Sequence, residues 1–444
     1  MTSTLLKDLG NGLVLRRSTP ADAEALADFN GRIHGDDDVG LPNARIAAWT
    51  RDLLTRPHPT CRADDFTIVE EPAAGRIVSS MVFIPQTWTY EGIAFGVGRT
   101  ELVGTLPEFR NRGLVREQFE VVHRWSAERG HMVQAITGIE YYYRQFGYEM
   151  ALDLGGRRLG YEGTVPRLPE GATEPFHVRP ALEADAPFIA GLDAQACARS
   201  AIACKRTPEI FLYEISGQSP ESVCRIAYKI VEDARGRPVG FLRHGDFLGP
   251  AGLRLGAFEL KPGVSWLEVT PSVARYLWQR GTEFAAVEGR PCTSFGFGLG
   301  EEHPAYEALG DALPTIHEPY SWYIRVPDLV GFLQHIRPAL ERRLAGSIAA
   351  GHTGKLDVTF FRSGVRFVFD GGHIKAIEPW KPSPRHESGD ARFPDQTFLQ
   401  VLFGHRSFQE LDRSFADCNW VTHEALVLIN ALFPKRHPDL FPIA

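Results

Sequence analysis

The chain has 444 residues, of which 43% are hydrophobic and 23% charged, and its formal net charge at pH 7 is -7. These values are typical of a folded globular protein, and the length predicts two to four domains. The acidic net charge argues against a nucleic-acid partner, and no apolar run in the sequence approaches the length that spans a bilayer.

The cysteines and the start of the chain indicate a cellular compartment. The six cysteines form no C-x-x-C pair, which favours reduced thiols over disulfides or a zinc site. Residues 1–12 lack a basic region followed by an apolar one, so we expect no export. We therefore predict a cytoplasmic protein with no membrane partner, no nucleic-acid partner and no metal.

An internal repeat organises the first part of the chain. The segment LRRSTPADAEALADFN, residues 15–30, returns without a gap as VRPALEADAPFIAGLD, so that Arg16 and Asp22 are repeated as Arg179 and Asp185. Each copy predicts a short strand, a turn and an amphipathic helix with an acidic residue near its first turn. A strand-to-helix unit is therefore duplicated.

A second pair of segments extends this repeat. LVGTLPEFRNRGLVREQ begins at Leu102 and LEVTPSVARYLWQRG at Leu267, and each predicts a strand, then a proline, Pro107 or Pro271, and then a helix. Only the first copy has an arginine-rich glycine turn. The proline- and glycine-containing residues 161–175 separate the copies and predict a linker.

The arginine-rich turn reads R-N-R-G-L-V-R and precedes a predicted helix. Gly113 lets the backbone approach an anion closely, and the free N–H groups and the dipole of a helix start attract negative charge. Arg110, Arg112 and Arg116 add candidates for charge-assisted contacts to phosphates. The turn predicts a site for a small phosphorylated cofactor, and a helix start with solvated arginines is the alternative.

A third part of the chain begins after residues 313–327. It predicts an amphipathic helix followed by alternating strands around the hairpin turn Asp370-Gly371-Gly372, which indicates an α+β domain. The apolar stripe of the helix contains Leu329, Phe332, Leu333 and Ile336.

These motifs resemble those of the GNAT superfamily of N-acetyltransferases. The turn resembles its acetyl-CoA loop [RQ]-x-x-G-x-[GA], with Val115 in place of the last small residue, and GIEYYYRQFGYEMAL, residues 138–152, is similar to its aromatic F-G-Y segment. Within the family the whole chain resembles the enhanced intracellular survival (Eis) type, whose RRRGLLR and IYGRFGY are close to RNRGLVR and YYRQFGY here.

The resemblance implies an α/β (α+β) fold of tandem GNAT folds with mixed, mostly antiparallel sheets, followed by an α+β domain similar to sterol carrier protein. The implied domains are a catalytic GNAT domain at residues 1–162, a degenerate second GNAT-like domain at 175–320 and the sterol-carrier-protein-like domain at 324–444. It also implies a homo-oligomer, a hexamer in the Eis type.

The resemblance further implies the residues of an active site with acetyl-CoA as co-substrate. Tyr143 aligns with the general acid of the Eis type, and the terminal carboxylate of Ala444 takes the place of its base. Asp36, Asp37 and Asp38 are candidates to attract a polycationic amine, with a solvated acidic loop as the alternative. The implied cofactor-binding residues are Val103, Gly104, Thr105, Arg110, Asn111, Arg112, Gly113, Leu114, Val115 and Arg116.

The expected function is acetyl transfer from acetyl-CoA to a primary amine of a small cationic molecule, of the aminoglycoside or polyamine type, or to a lysine. The alternatives are a non-catalytic protein that senses acyl-CoA or binds a lipid, and an aminoacyl-tRNA-dependent transferase, which the acidic net charge disfavours. The glycine-rich FGFGLGEEHP, residues 295–304, lacks the Lys-Ser/Thr of a phosphate loop and predicts a strand and turn.

Overall fold

The computed structural model describes residues 4–35, 41–250, 252–382 and 389–444. The described residues up to 160 form a mainly antiparallel arrangement of strands with three helices. The strands are β1 (Leu5–Gly10), β2 (Leu13–Arg17), β3 (Phe66–Glu71), β4 (Arg76–Tyr90), β5 (Ile93–Thr105), β6 (Val133–Ile136), β7 (Glu149–Leu154) and β8 (Arg157–Gly160). The helices are α1 (Ala23–Ile33), α2 (Ala44–Thr55) and α3 (Leu114–Glu128).

The middle part of the chain has a related order of elements. Its strands are β9 (Phe176–Pro180), β10 (Ile202–Cys204), β11 (Ile226–Asp233), β12 (Pro238–Gly245), β13 (Gly252–Leu260), β14 (Ser294–Phe297), β15 (Thr315–His317) and β16 (Tyr320–Arg325). Its helices are α4 (Ala186–Cys197), α5 (Pro208–Leu212), α6 (Trp266–Glu288) and α7 (Pro304–Leu309).

The last part of the chain combines a small sheet with short helices. The strands are β17 (Gly354–Thr359), β18 (Gly364–Asp370), β19 (His373–Trp380), β20 (Ala391–Arg392) and β21 (Asn419–Trp420). The helices are α8 (Leu329–His335), α9 (Arg337–Ala345), α10 (Phe398–Leu402), α11 (Phe408–Ser414) and α12 (His423–Leu432). The predicted hairpin turn joins β18 to β19, where Gly371 and Gly372 have φ of 58° and 86°.

Three sheets organise the fold. The first has the order β1-β2-β3-β4-β5-β6-β16-β7, with β10 added to β4, and the second has the order β15-β8-β14-β13-β12-β11-β9. The third has the order β19-β18-β17-β20-β21. Helix α3 packs on one face of the first sheet through Phe119 and Trp125, and α1 and α2 cover the other face through Leu26 and Leu53.

The first two sheets exchange a strand. The consecutive strands β7 and β8 lie in different sheets, and so do β15 and β16. Strand β16 pairs with β6 and β7 in the first sheet, and β8 pairs with β14 and β15 in the second. Each sheet therefore contains a strand from the other half of the tandem, and the domain bounds given above stay a prediction.

The sequence repeat forms the same local structure twice. The guanidinium of Arg16 donates two hydrogen bonds, of 3.0 and 2.7 Å, to the carboxylate of Asp22 at the start of α1. Arg179 donates two bonds, of 2.7 and 3.0 Å, to Asp185 at the start of α4. In each copy the arginine also pairs with a glutamate of the strand that lies beside it in the sheet, Glu70 of β3 or Glu232 of β11. The bidentate pair fixes the turn from strand to helix.

The prediction for the second pair of repeat segments is wrong, because the later segment is helical where a strand was expected. The segment that begins at Leu267 lies within α6 from its start, so it contains no strand, and Pro271 lies inside that helix. The hydroxyl of Ser265 accepts a hydrogen bond from the backbone N–H of Glu268 and starts the helix before the proline. The β-branched Val269 and Thr270 favour a strand locally, but the cap and the packing of α6 override this preference.

In the glycine-rich segment at residues 295–304 the predicted strand is present as β14, which ends at Phe297, but irregular chain with two bends follows in place of a turn, and α7 begins at Pro304. Within the part of the chain that the structure describes, every helix is too short or too polar to cross a membrane.

Candidate active site

A cavity of about 800 Å³ opens where two parallel strands of the first sheet separate. Strands β5 and β6 pair from Val97 to Arg99 of β5, and beyond Arg99 they diverge. Leu102 has a left-handed φ of 51°, close to a register shift between β4 and β5, which redirects the β5 backbone. The residues Val103, Gly104 and Thr105 therefore line the cavity with backbone that has no partner strand on that side among the described residues.

The glycine turn closes one end of this cavity. Gly113 has a φ of 75° and is the N-cap residue of α3, and Asn111 has a φ of 60°. Glycine adopts this backbone conformation without the steric cost that a side chain imposes. The first backbone N–H groups of α3 lack intrahelical acceptors and lie at the positive end of the helix dipole. This end of the cavity is therefore suited to a phosphate group.

The three arginines of the turn are not equivalent. Arg110 and Arg116 line the cavity, and Arg116 donates a hydrogen bond of 3.0 Å to the side-chain oxygen of Gln145. The guanidinium of Arg112 instead donates a bond of 3.0 Å to the backbone oxygen of Glu108 and lies 4.7 Å from the ring centre of Phe109. Of the ten residues predicted to bind the cofactor, Arg112 is the one that does not line the cavity.

Tyr143 lies at the other side of the cavity. It belongs to a 3₁₀ turn, Tyr142–Phe146, and is 3% exposed, with its ring packed edge-on against Phe119 and Tyr323. Burial, together with the nearby charge of Glu101, raises the pKa of Tyr143 above its ordinary value. The hydroxyl is therefore protonated at neutral pH, which is the state that a proton donor requires.

Two further polar residues of the cavity were not predicted as site residues. Glu101 lines the cavity and forms an ion pair of 2.7 Å with Arg99. His34 also lines the cavity, its Nε2 has no hydrogen-bond partner among the described residues, and burial lowers its pKa. Sequence features that could have indicated these two residues are local. Glu101 is a charged residue within the otherwise apolar strand that leads to Val103, and His34 directly follows the first amphipathic helix.

The end of the chain returns to the first sheet. The backbone oxygen of Ile443 accepts hydrogen bonds of 2.9 Å from both Gln86 and Arg99. The backbone oxygen of Ala444 accepts a bond of 3.1 Å from Gln218, and its side chain packs with a cluster that includes Leu102 of the cavity wall. The structure therefore holds the terminal residue beside the strand that forms the cavity.

The predicted acceptor residues Asp36, Asp37 and Asp38 lie outside the described residues. One group of three among the described residues, Asp153, Glu301 and His437, has its potential metal-binding atoms within 4.8 Å of one another. Nδ1 of His437 lies 2.9 Å from Asp153 and Nε2 lies 2.7 Å from Glu301. Because both ring nitrogens face carboxylates, this geometry favours a protonated histidine between two acids. The absence of a metal stays a prediction.

The matched family and the similar structures agree with this geometry. Residues 22–151 match the family model of the acetyltransferase (GNAT) domain, whose members take an acetyl group from acetyl-CoA and transfer it to an amine. No curated protein matches the sequence.

Solved structures with a similar fold cover almost the whole chain. A probable N-acyltransferase from Enterococcus faecalis V583 is 12% identical, with a TM-score of 0.67, over 97% of this chain and 100% of that chain. A GCN5-related N-acetyltransferase from Kribbella flavida is 17% identical, with a TM-score of 0.61, over 97% and 98%. Eis1 from Mycobacterium abscessus is 14% identical, with a TM-score of 0.57, over 96% and 99%. These structures confirm the predicted fold class, and the GNAT-domain match over residues 22–151 confirms the prediction of an N-acetyltransferase.

Proposed function

We propose that the protein transfers the acetyl group of acetyl-CoA directly, in a ternary complex, to a primary amine of a small cationic molecule or of a lysine. Aminoglycosides and polyamines are the small molecules of this class. The observation that carries the proposal is that one cavity joins the helix start at Gly113, the unpaired strand at Val103 to Thr105 and the buried hydroxyl of Tyr143.

The donor end of the cavity fits an anionic coenzyme. The N-terminus of α3 offers backbone N–H groups to a pyrophosphate, and Arg110 and Arg116 line the same space. The backbone from Val103 to Thr105 lines the cavity, so its N–H groups are proposed to pair with the extended arm of the coenzyme and to donate to the carbonyl oxygen of the acetyl group. Acetyl-CoA supplies the acetyl group as a thioester.

The reaction needs one proton acceptor and one proton donor. The amine is mostly protonated at neutral pH, so a base must remove a proton before the nitrogen forms its bond to the acetyl carbon. The bond from that carbon to sulfur then breaks, and the sulfur leaves with the electron pair. The nitrogen releases its second proton in the same collapse, which leaves a neutral amide and can replace the proton that the donor gives to the sulfur. Tyr143 is the proposed donor of the proton that the sulfur takes, because its hydroxyl is protonated and lies on the cavity.

The terminal carboxylate of Ala444 is the proposed base. Its support is the set of hydrogen bonds that hold Ile443 and Ala444 against the first sheet, although the terminal residue is not part of the cavity wall. The neutral imidazole of His34 and the carboxylate of Glu101 lie on the wall itself, so a proton can reach the terminus through them or through water. Asp36, Asp37 and Asp38 stay the proposed residues for a cationic acceptor.

The proposal also covers the domain bounds, the oligomeric state and the cellular compartment. We propose the domains 1–162, 175–320 and 324–444, the last of them similar to sterol carrier protein, in a cytoplasmic homo-oligomer of up to six copies.

Thiol release tests the proposed function. The full chain is incubated with acetyl-CoA and an aminoglycoside, a polyamine or a lysine peptide, and free thiol is measured with a chromogenic reagent. We expect rapid release with at least one amine class and only slow release without an amine. If calorimetry shows that acetyl-CoA binds while every amine class leaves the thioester intact, the alternative of a non-catalytic acyl-CoA-binding protein replaces this proposal.

A further inference from the structure

The second sheet has a cleft at the position that the candidate active site has in the first. Strands β13 and β14 pair in parallel from Gly252 to Leu255 of β13 and then diverge, as β5 and β6 do. A cavity of about 700 Å³ lies at this divergence. Helix α4 follows β9 and lines the cavity, as the end of α1 lines the first one. The duplicated unit has therefore kept a cleft of ligand size.

This second cleft is not suited to an anionic coenzyme. The helix that follows β13 has Ser265 as its N-cap residue and Glu268 in its first turn, where the first copy has its arginines. On the facing segment, the backbone N–H of Leu299 already donates a hydrogen bond of 3.0 Å to the hydroxyl of Tyr306. The start of α6 does not line the cleft and has no arginine, so it offers no phosphate site there, and the N–H of Leu299 is not free to pair with a coenzyme arm.

The second cleft is negatively charged, whereas an anionic coenzyme requires a positively charged site. Seven carboxylates line it, against three lysine or arginine side chains, which leaves an excess of four negative charges before the histidines are counted. Some of the carboxylates are paired within the protein, such as Glu259, which accepts a hydrogen bond of 2.5 Å from Arg199. Glu302 and Glu307 stand exposed at the cleft and form no ion pair among the described residues.

Asp439 is the carboxylate of the cleft that most favours a cationic ligand. It lines the cleft, and its carboxylate has no hydrogen bond or ion pair within the described part of the chain, although its backbone N–H donates to Ile202. Burial and the charges of Asp193 and Glu259 raise the pKa of Asp439 to about 7. Asp439 is half-buried, and a carboxylate that faces other carboxylates without a cationic partner favours a cationic ligand.

The walls between these acids are apolar. Phe241, Phe258 and Phe441 line the cleft together with Leu299 and Leu440. Aromatic and aliphatic walls favour a chain of methylene groups, and carboxylates spaced along the cleft favour a ligand with several ammonium groups. A compact metal ion would leave the apolar walls without a partner.

We propose that the second cleft binds a linear aliphatic polyamine, with its ammonium groups at Asp439 and at the exposed carboxylates Glu302 and Glu307. The same segment of chain, residues 434–441, forms one wall of this cleft and continues directly to Ile443 and Ala444 on the first sheet. An occupied cleft therefore restrains the segment that positions the chain end. The site lies apart from the candidate active site, and its occupancy does not depend on the proposed acetyl transfer.

Calorimetric titration of the full chain with spermine, without acetyl-CoA, tests this proposal. We expect the substitution Asp439→Asn, and separately the double substitution Glu302→Gln with Glu307→Gln, to weaken binding by about tenfold or more, because each removes a charge-assisted contact. Glu268→Gln removes one negative charge from an exposed position outside the cleft and should leave the affinity unchanged.

Thermal unfolding gives a second readout that separates binding from folding. Without a ligand, Asp439→Asn should raise the melting temperature, because it removes a half-buried carboxylate that faces the charges of Asp193 and Glu259. With spermine, the wild-type chain should be stabilised more than the variant. Absence of spermine binding would overturn the proposal. Binding that both cleft variants retain at full affinity would also overturn it and would place the ligand in the first cavity.

Discussion

Arg99 donates a hydrogen bond of 2.9 Å to the backbone oxygen of Ile443, one residue before the end of the chain. The same guanidinium forms an ion pair of 2.7 Å with Glu101, which lines the candidate active site. Arg99 is 8% exposed, so these contacts are largely shielded from solvent. One buried side chain thus connects the chain end, which is supplied by the third part of the sequence, to the cavity of the first sheet.

Because the chain end is held beside the cavity, deletion of its last residue tests whether the terminal carboxylate is the base. Deletion of Ala444 moves the terminal carboxylate to Ile443 and away from its present position. If the carboxylate is the base, kcat should fall by about 10²- to 10⁴-fold, while the affinity for acetyl-CoA stays the same. The matched control is Ala444→Gly, which keeps the carboxylate and should keep kcat. Equal activity of the deletion variant and the wild type would show that another group is the base, and His34 and Glu101 would then be the candidates.

Tyr143→Phe tests the proton donor. The substitution removes one hydroxyl and keeps the ring that packs against Phe119 and Tyr323, so the fold should be unchanged. We expect kcat to fall by about 10²-fold or more, with unchanged binding of acetyl-CoA in calorimetry. Tyr142→Phe is the control, because Tyr142 lines the same cavity and lies beside Tyr143. A Tyr143→Phe variant with wild-type turnover would exclude the proposed role.

The arginines of the glycine turn should differ in their contribution to coenzyme binding. Arg116→Ala removes a guanidinium that lines the cavity and should raise the Kd for acetyl-CoA by about 10- to 100-fold, as expected for a lost charge-assisted contact. Arg112→Ala removes a guanidinium that faces Glu108 and Phe109, so its effect should be much smaller. Equal effects of the two substitutions, measured by calorimetry, would contradict the orientation of these side chains.

The contacts of His437 with two carboxylates should make the stability of the protein depend on pH. Its hydrogen bond to Asp153 raises the pKa of His437 above its ordinary value, and the charge of Glu301 acts in the same direction. Since the pKa is higher in the folded state than in the unfolded state, the contribution to stability is fully present below about pH 6.5 and is lost as the pH rises through the folded-state pKa.

The measurement is the melting temperature of the wild type and of His437→Gln between about pH 5.5 and pH 9. The wild type should be the more stable protein at the acidic end, and the difference should shrink as the pH rises. His423→Gln changes an exposed histidine of the same part of the chain and serves as the control. A difference between wild type and His437→Gln that is constant across this range would show that His437 is neutral in the folded protein.

Local features of the site could be predicted from the sequence because they depend on neighbouring residues. Gly113 marks a helix start with a left-handed backbone, and Arg16 with Asp22, like Arg179 with Asp185, closes a turn within six positions. The start of α6 at Trp266 was not predicted, because the sequence before Pro271 favours a strand. Its N-cap Ser265 and its packing outweigh the strand preference of the residues before Pro271.

The duplicated strand-to-helix unit, the glycine turn at Gly113 and the aromatic segment with Tyr143 could be recognised from the sequence, since each is a pattern of nearby residues. The folded structure was needed to show that Glu101 and His34 line the same cavity as Tyr143, that β8 and β16 exchange sheets, and that Asp439 lies in a second cleft without an ion pair among the described residues. The physical reason is that strand pairing and burial bring together residues that are far apart in the chain, and no local periodicity records which distant partner a strand or a carboxylate will meet.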